Sequence, residues 1–422
     1  MESRAPPFQF VGSGPVLPPT KTTYREWGDI MLPLEGITVV SVEQAVAGPF
    51  ATRQLADLGA RVIKIERPEK GDFARHYDSA VNGMASHFVW LNRSKESLTL
   101  DLKTDEGKEI LSKLLEDADV FLQNLAPGAM ERLGFGANEL LEKHPSLVIC
   151  GISGYGSNGP YTHKKAYDLL VQCESGAMAL TGTEETPSKS GVAIADIATG
   201  MYAYSGILTA LLARNKDQKG RILEVSMLES LGEWMGFPSY FTEYGGKEPE
   251  RTGASHATIY PYGPFVAGDQ KQVYISIQNE REWKNFCEKV LGDPDLTNHP
   301  DYYNNTNRFK NQQTLQKIIE KVFLEKTSEE IIELLEDSGI ANARLNSVMD
   351  FVNHPQLEAR NRWREVGSPV GKLKALLPPA TFNDIEPVFN PIPEVGQHTN
   401  DILKSVGYTE EDIKAFAQNK VI

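Results

Sequence analysis

From residue 36 onward, short apolar runs alternate with amphipathic runs at a spacing that few folds can accept. GITVVSVE (36–43), RVIKIE (61–66), SLTLDL (97–102), DVFLQNL (119–125) and SLVICGIS (146–153) have the length and β-branched content of strands. PFATRQLADLGA (49–60), closed by Gly59, TDEGKEILSKLLEDA (104–118), capped by Thr104, and GANELLEKH (136–144) have helical periodicity. Strands joined through helices cannot pair as hairpins, so they form a parallel sheet covered on both faces. The expected class is α/β, a doubly wound parallel sheet. At 422 residues the chain is too long for one ordinary core, so a second domain is expected beside it.

The rest of the chain is less regular. VAIADIATGMYAYSGILTALLAR (192–214) reads as a short strand, then Asp196, then a helix; GRILEVSMLES (220–230) follows. Residues 231–310 are rich in aromatics, Gly and Pro, with one expected strand, QVYISIQ (272–278), and suggest a smaller domain of anchored loops. QQTLQKIIEKVFLEK (312–326) and SEEIIELLEDSG (328–339) are helical, and the tail from about 340 reads as strands and loops. The Pro-rich start, residues 1–32, reads as an extended arm: it has neither an apolar signal core nor the Arg-rich, acid-poor character of a transit peptide.

Several classes of function are disfavoured at this stage. A net charge of −14, from 57 acidic against 43 basic residues, argues against nucleic acid as a partner. No run of about 18 apolar residues suggests a membrane span. Cys150, Cys173 and Cys287 are far apart, which suits a reducing, intracellular compartment, cytoplasmic or mitochondrial. The histidines lack metal-ligand spacing, so no metal is expected. EQAVAGPFATRQL (43–55) is neither G-x-G-x-x-G nor a P-loop, and GISGYGSNG (151–159) has its glycines at the wrong offsets for a serine-hydrolase elbow.

Two features carry chemistry. Lys64, Arg67, Arg75, Arg93, Lys95, Lys103, Arg132, Lys164 and Lys165 fall near strand ends, where an α/β sheet binds ligands, and such a cluster suits a polyphosphate. Solvated faces paired with Glu66, Glu69 and Glu96 are the ordinary alternative. Asp196 is open in the same way. It is either an N-cap, or a carboxylate kept ionised by the free amides of a helix start and able to act as a nucleophile.

AVAGPFATRQLADLGARVIKIERPEKGDFAR, LNRSKESLTLDLKTDEGKEIL, ADVFLQNLAPGAMERLGF, SGYGSNGP, VAIADIATGMYAYSGILTALLAR and GRILEVSMLES, in this order, resemble the class III CoA-transferases, the formyl-CoA and carnitine-CoA transferase family. The likeness runs from residue 33 to about 415. It implies a large domain built from both chain ends (33–225 and 331–422), a smaller middle domain (226–330) and an interlocked homodimer. Coenzyme A is implied as a substrate, with no permanently bound cofactor. Its site would be lined by Ala45, Val46, Arg67, Leu100, Asp101, Leu102, Lys103, Asn124, Leu125, Ala126, Arg132, Lys164, Lys165, Ala166 and Tyr167, with Asp196 as the catalytic aspartate.

Racemases of 2-methylacyl-CoA share this aspartate but pair it with a His-Asp. Here KAYDLLVQ puts Tyr167 and Asp168 at that place, and a phenol suits neutral acid–base work poorly. Val46 stands where formyl-CoA transferases carry Gln. GASHATIYPYGPF and SIQNEREW instead resemble the subgroup acting on C4–C5 dicarboxylic acids: mesaconyl-CoA C1–C4 transferases and succinyl-CoA:itaconate or mesaconate transferases. An acyl-CoA and a dicarboxylic acid are therefore the expected partners. Arg75, Arg251, His256 and Arg281 are candidates for the second carboxylate. The plainer alternatives are that His256 only holds a loop and that Arg281 pairs with Glu280 or Glu282.

Overall fold

A computed structural model describes residues 31–422, so the arm expected over 1–32 lies outside the described residues but for its last two positions. Six strands form one sheet: β1 (Thr38–Val42), β2 (Arg61–Glu66), β3 (Lys95–Thr99), β4 (Val120–Gln123), β5 (Val148–Ser153) and β6 (Arg221–Ser226). Every pairing is parallel and the order is β3-β2-β1-β4-β5-β6, so the connections reverse between β1 and β4. Ligands collect at the carboxyl ends of strands flanking such a reversal.

The helices that matter for the site are α1 (Ala47–Asp57), α2 (Asp105–Glu116), α3 (Ala137–Lys143), α4 (Asp168–Glu174), α5 (Ile194–Asp217), α6 (Met227–Trp234), α7 (Gly236–Gly245), α8 (Gln312–Phe323), α9 (Ser328–Asp337), α10 (Thr399–Ser405) and α11 (Glu410–Gln418). One face of the sheet packs against α1 and α5, through Ala51, Leu55, Ala203 and Ile207. The other face packs against α2 through Ile110, Leu111 and Leu114, and against the chain's far end through Ile402, Leu403, Ile413 and Val421. The α2 cap is as expected: Thr104 Oγ1 accepts from the Gly107 amide at 3.0 Å.

A separate core spans Tyr260 to Ile340, where Trp283, Phe286 and Phe323 are fully buried. It supports an antiparallel sheet of β7 (Tyr262–Val266), β8 (Gln272–Ser276) and β9 (Ala341–Arg344). Since β9 pairs with β8, this unit runs past residue 330, where the sequence places its end. α6, expected within that unit, instead packs by Met227 and Leu231 on Val171 and Ala195 beside the large sheet.

Two local expectations are corrected. VAIA (192–195) is not a strand: β5 already has β6 as its neighbour, and the helix begins at Ile194. The tail after 340 holds not only strands and loops but also α10 and α11. No helix among the described residues is long and apolar enough to cross a membrane.

Candidate active site

Asp196 does not cap its helix. Ala193 occupies the N-cap of α5, and Asp196 lies inside the first turn, half-buried. The duty expected of it falls to Asp168 at the start of α4. Asp168 Oδ1 accepts from the Ala195 amide at 2.8 Å and Oδ2 from Gln172 Nε2 at 2.7 Å. Gln172 Oε1 in turn accepts from the Ser190 amide at 2.9 Å, fastening the segment that leads into α5. The Asp196 carboxyl is thus left free for chemistry. Burial first, and then the charge of Asp168, push it up to about 7, where donors at a helix start were expected to keep it ionised.

Close packing brings the start of α1 to the first turns of α5. Gly200 is one helical turn beyond Asp196 on the same face of α5, and a Cβ built there would lie 2.8 Å from the Ala47 carbonyl. Only Gly allows that approach. Tyr77, 49% exposed, borders the same space: burial and then the charges of Asp72 and Asp196 raise its phenol to about 12, with Tyr167 also contributing. Asp196 and Tyr167 thus lie near enough to Tyr77 to act on its charge, and α1 packs on the helix that carries Asp196.

The turn between β1 and α1 is strained. Ala45 has φ +63°, a left-handed conformation that costs a residue with a Cβ on the order of 1 kcal/mol. Two side chains from other strand ends impose it. Asn124 accepts from the Gln44 amide and donates to the Gln44 carbonyl, both at 2.8 Å, and Asp72 Oδ1 accepts from the Ala45 amide at 3.1 Å. Asn124 is thus engaged with the backbone of the turn, and Val46 is buried.

Below the turn lies an ion network. Lys64 Nζ is 2.8 Å from Asp72 Oδ2, Lys95 Nζ is 2.8 Å from Glu43 Oε1, and Arg75 grips Glu66 through two bonds of 2.8 and 2.7 Å. Burial alone would raise Glu66, but the hydrogen bond from Arg75 and the charge of Lys64 hold it at about 2. Burial lowers Lys95 to about 8 against the pull of Glu43. Arg93 is buried against Asp57. Of the cations grouped from the sequence, Lys64, Lys95, Arg93 and Arg75 therefore belong to the interior. Arg75 also stacks on Phe88 at 3.6 Å and donates to the Pro393 carbonyl, so all three of its nitrogens are engaged in holding the fold.

The remaining cations gather elsewhere. A cavity of about 640 Å³ opens at the carboxyl ends of β1 to β4. It is lined by Arg67, Leu100, Asp101, Leu102, Lys103, Leu125 and Arg132, all seven named from the sequence, and by Gln44 and Asp72 of the turn. Arg67, Lys103 and Arg132 are exposed there. Ala126 is exposed on the loop after β4. Sequence reasoning missed two further basic residues of the lining, Lys70 and Lys420.

Other candidates lie outside that lining. Lys164 pairs with Glu174 over the Tyr161 ring, Lys165 is exposed, and Ala166 lies so close to Gly154 that no Cβ fits there. Arg251 donates to the carbonyls of Ala179, Thr183 and Glu184, which makes it a loop clamp. His256 also holds a loop: Nδ1 accepts from the Thr258 and Ile259 amides, each at 3.1 Å, and the ring stacks on Tyr262. Arg281 is exposed and pairs with neither expected acid, since Glu280 accepts from Arg308 and the Glu282 carboxylate accepts from the Gln278 amide and Asn279 Nδ2.

Known proteins resemble this arrangement along almost its whole length. The model of CoA-transferase family III matches residues 34–399. A succinyl-CoA:glutarate CoA-transferase of Mus musculus is 35% identical over 90% of this chain and 87% of its own. A formyl-CoA:oxalate CoA-transferase of Escherichia coli O157:H7 is 32% identical over 92% of this chain and 99% of its own. A solved CAIB/BAIF family protein from Brucella suis superposes with a TM-score of 0.78 at 30% identity, covering 89% of this chain and 100% of that one.

Proposed function

This chain belongs to CoA-transferase family III and is an enzyme of that class, and on that premise we propose that it moves CoA from succinyl-CoA to a C4–C5 dicarboxylic acid, as a homodimer, through Asp196. The likeness to the mouse enzyme named for succinyl-CoA and glutarate supports the donor and the acceptor size. Itaconate, mesaconate and citramalate are five-carbon diacids like glutarate and belong on the same panel. Intramolecular transfer between the two ends of mesaconyl-CoA is the second reading. It rests on the likeness of SIQNEREW (276–283) to that subgroup.

The observation that carries the reading is a half-buried carboxyl without a capping task, on the helix that packs against α1, while Gln44 in the turn before α1 lines a cavity with a basic rim. The Asp196 carboxylate attacks the thioester carbonyl and expels CoA thiolate, giving a mixed anhydride. The thiolate attacks the aspartyl carbonyl of that anhydride, releasing succinate and leaving an aspartyl-CoA thioester. The acceptor carboxylate then displaces the thiolate, and the thiolate recaptures the acceptor acyl group from the second anhydride, regenerating Asp196. Covalent relay splits one slow exchange into steps between groups of similar leaving ability. Arg67, Lys103 and Arg132 would hold the CoA phosphates.

Asp196→Asn is expected to cut exchange by about 10⁴-fold or more, the scale seen when a nucleophile is removed, while CoA binding holds within about threefold. Succinyl-CoA with each diacid in turn is the assay. Deuterium uptake at the α-carbon of a 2-methylacyl-CoA without CoA exchange would point to racemisation instead.

A further inference from the structure

The basic rim of the cavity has a member supplied from the far end of the chain. Lys420 lines the same space as Arg67, Lys103 and Arg132, although it follows α11 and lies almost three hundred positions after Arg132. Its placement is imposed. Val421 is 1% exposed in the core under the sheet, and its carbonyl accepts from the Asp101 amide at 2.7 Å, so the last turn is stitched to the loop that follows β3. Between that anchor and α11, Lys420 takes φ +57°, and its amide donates to the Ala417 carbonyl.

A left-handed lysine is unfavourable and persists only where its surroundings over-determine it. The side chain so displayed is exposed and forms no ion pair with the described residues, whereas Lys404 and Lys113 in the same region do pair with acids. Lys103, which lines the same cavity, stands two residues after Asp101 and its amide donates to Asp101 Oδ1 at 3.0 Å, so the bond from the Asp101 amide to the Val421 carbonyl ties together the two segments that carry these cations. An unpaired ammonium held at a fixed place on a basic rim suits a phosphate.

We infer that Lys420 is a binding residue for the phosphates of the CoA nucleotide, contributed by the segment that returns to the large sheet. This rests on the CoA reading above. It adds that the carboxyl-terminal turn belongs to the site as well as to the core.

Lys420→Asn removes the charge with a residue that tolerates the left-handed region, and Lys420→Arg keeps the charge. The expected result for Lys420→Asn is a rise of about 5- to 20-fold in the CoA dissociation constant and in KM for succinyl-CoA, the scale of one charge-assisted bond, with kcat unchanged. The difference shrinks as salt is raised. Lys420→Arg restores most of the affinity. Dephospho-CoA separates the two sources of charge: if it binds wild type and Lys420→Asn alike, the contact is the 3′-phosphate, and if the gap persists, the diphosphate. A Lys420→Asn protein that binds CoA as wild type does overturns the inference while leaving the CoA reading intact. Wild-type protein that binds no CoA overturns both.

Discussion

Asp196 is subject to two opposing demands. As the proposed nucleophile it must be ionised, yet burial and the nearby charge of Asp168 lift its carboxyl to about 7. The fraction of competent enzyme should therefore rise with pH through that value, and kcat/KM for succinyl-CoA should show an acid limb near pH 7. The sign for Asp168→Asn follows. Removing a neighbouring negative charge makes ionising Asp196 easier, so the limb moves to lower pH, by about one unit for a partner this close. Asparagine keeps an oxygen for the Ala195 amide, so the cap of α5 survives. A pH–rate profile of both proteins is the measurement, and an unmoved limb would show that Asp168 serves only as a cap.

At the scale of elements, the ion network joins the ends of β1, β2 and β3 to the returning segment. Glu66 accepts from Arg75, from the Asp72 amide and from Ser97 Oγ, and Ser97 Oγ accepts from the Gly396 amide. Glu66→Gln leaves a buried guanidinium half-matched and should cost about 3 kcal/mol, the scale of a broken buried pair, read as a lowered urea midpoint with little change in slope. The pH dependence has a definite sign. A carboxyl held at about 2 contributes stability that is complete above its unfolded value of about 4.3 and is lost as pH falls toward 2; Glu66→Gln should flatten that acid loss.

The same elements show what was legible in the chain. RVIKIE is β2 residue for residue, and Thr104 caps α2 as its sequence signals, because period and cap chemistry are local. The third strand lies earlier than SLTLDL suggests, at Lys95–Thr99. Hydropathy could not foresee that Lys95 is acceptable inside once Glu43, distant in sequence, meets it. Leu100 to Lys103 leave the sheet and line the cavity instead. α10 and α11 are too short for periodicity to declare them, although TEED (409–412) carries a capping box in which Thr409 and Asp412 satisfy each other. At the site, the motif residues around the cavity were legible. Which lysines face inward was not, because that depends on acids delivered by other loops.

For the whole molecule, the decisive question is what covers α7. Its ten residues include none that is buried: Phe237 is 57% exposed, Tyr240 71% and Tyr244 81%. A helix of this length is marginal in water without tertiary packing, and aromatic faces of this kind on soluble proteins mark contact surfaces. The sequence of α7, GFPSYFTEYG, supplies large rigid rings with little charge, the composition of an interface centre. A second copy of the chain is the partner this surface suits in the proposed homodimer, so sedimentation equilibrium should return twice the mass of one chain. Tyr240→Glu combined with Tyr244→Glu places two charges on that face and should shift the equilibrium toward monomer by at least about tenfold, since desolvating even one unpaired carboxylate costs more than the 1.4 kcal/mol that a factor of ten requires. If the substituted protein stays dimeric at the same concentration, α7 is not the contact. If the wild-type protein sediments as a single chain, the homodimer is wrong.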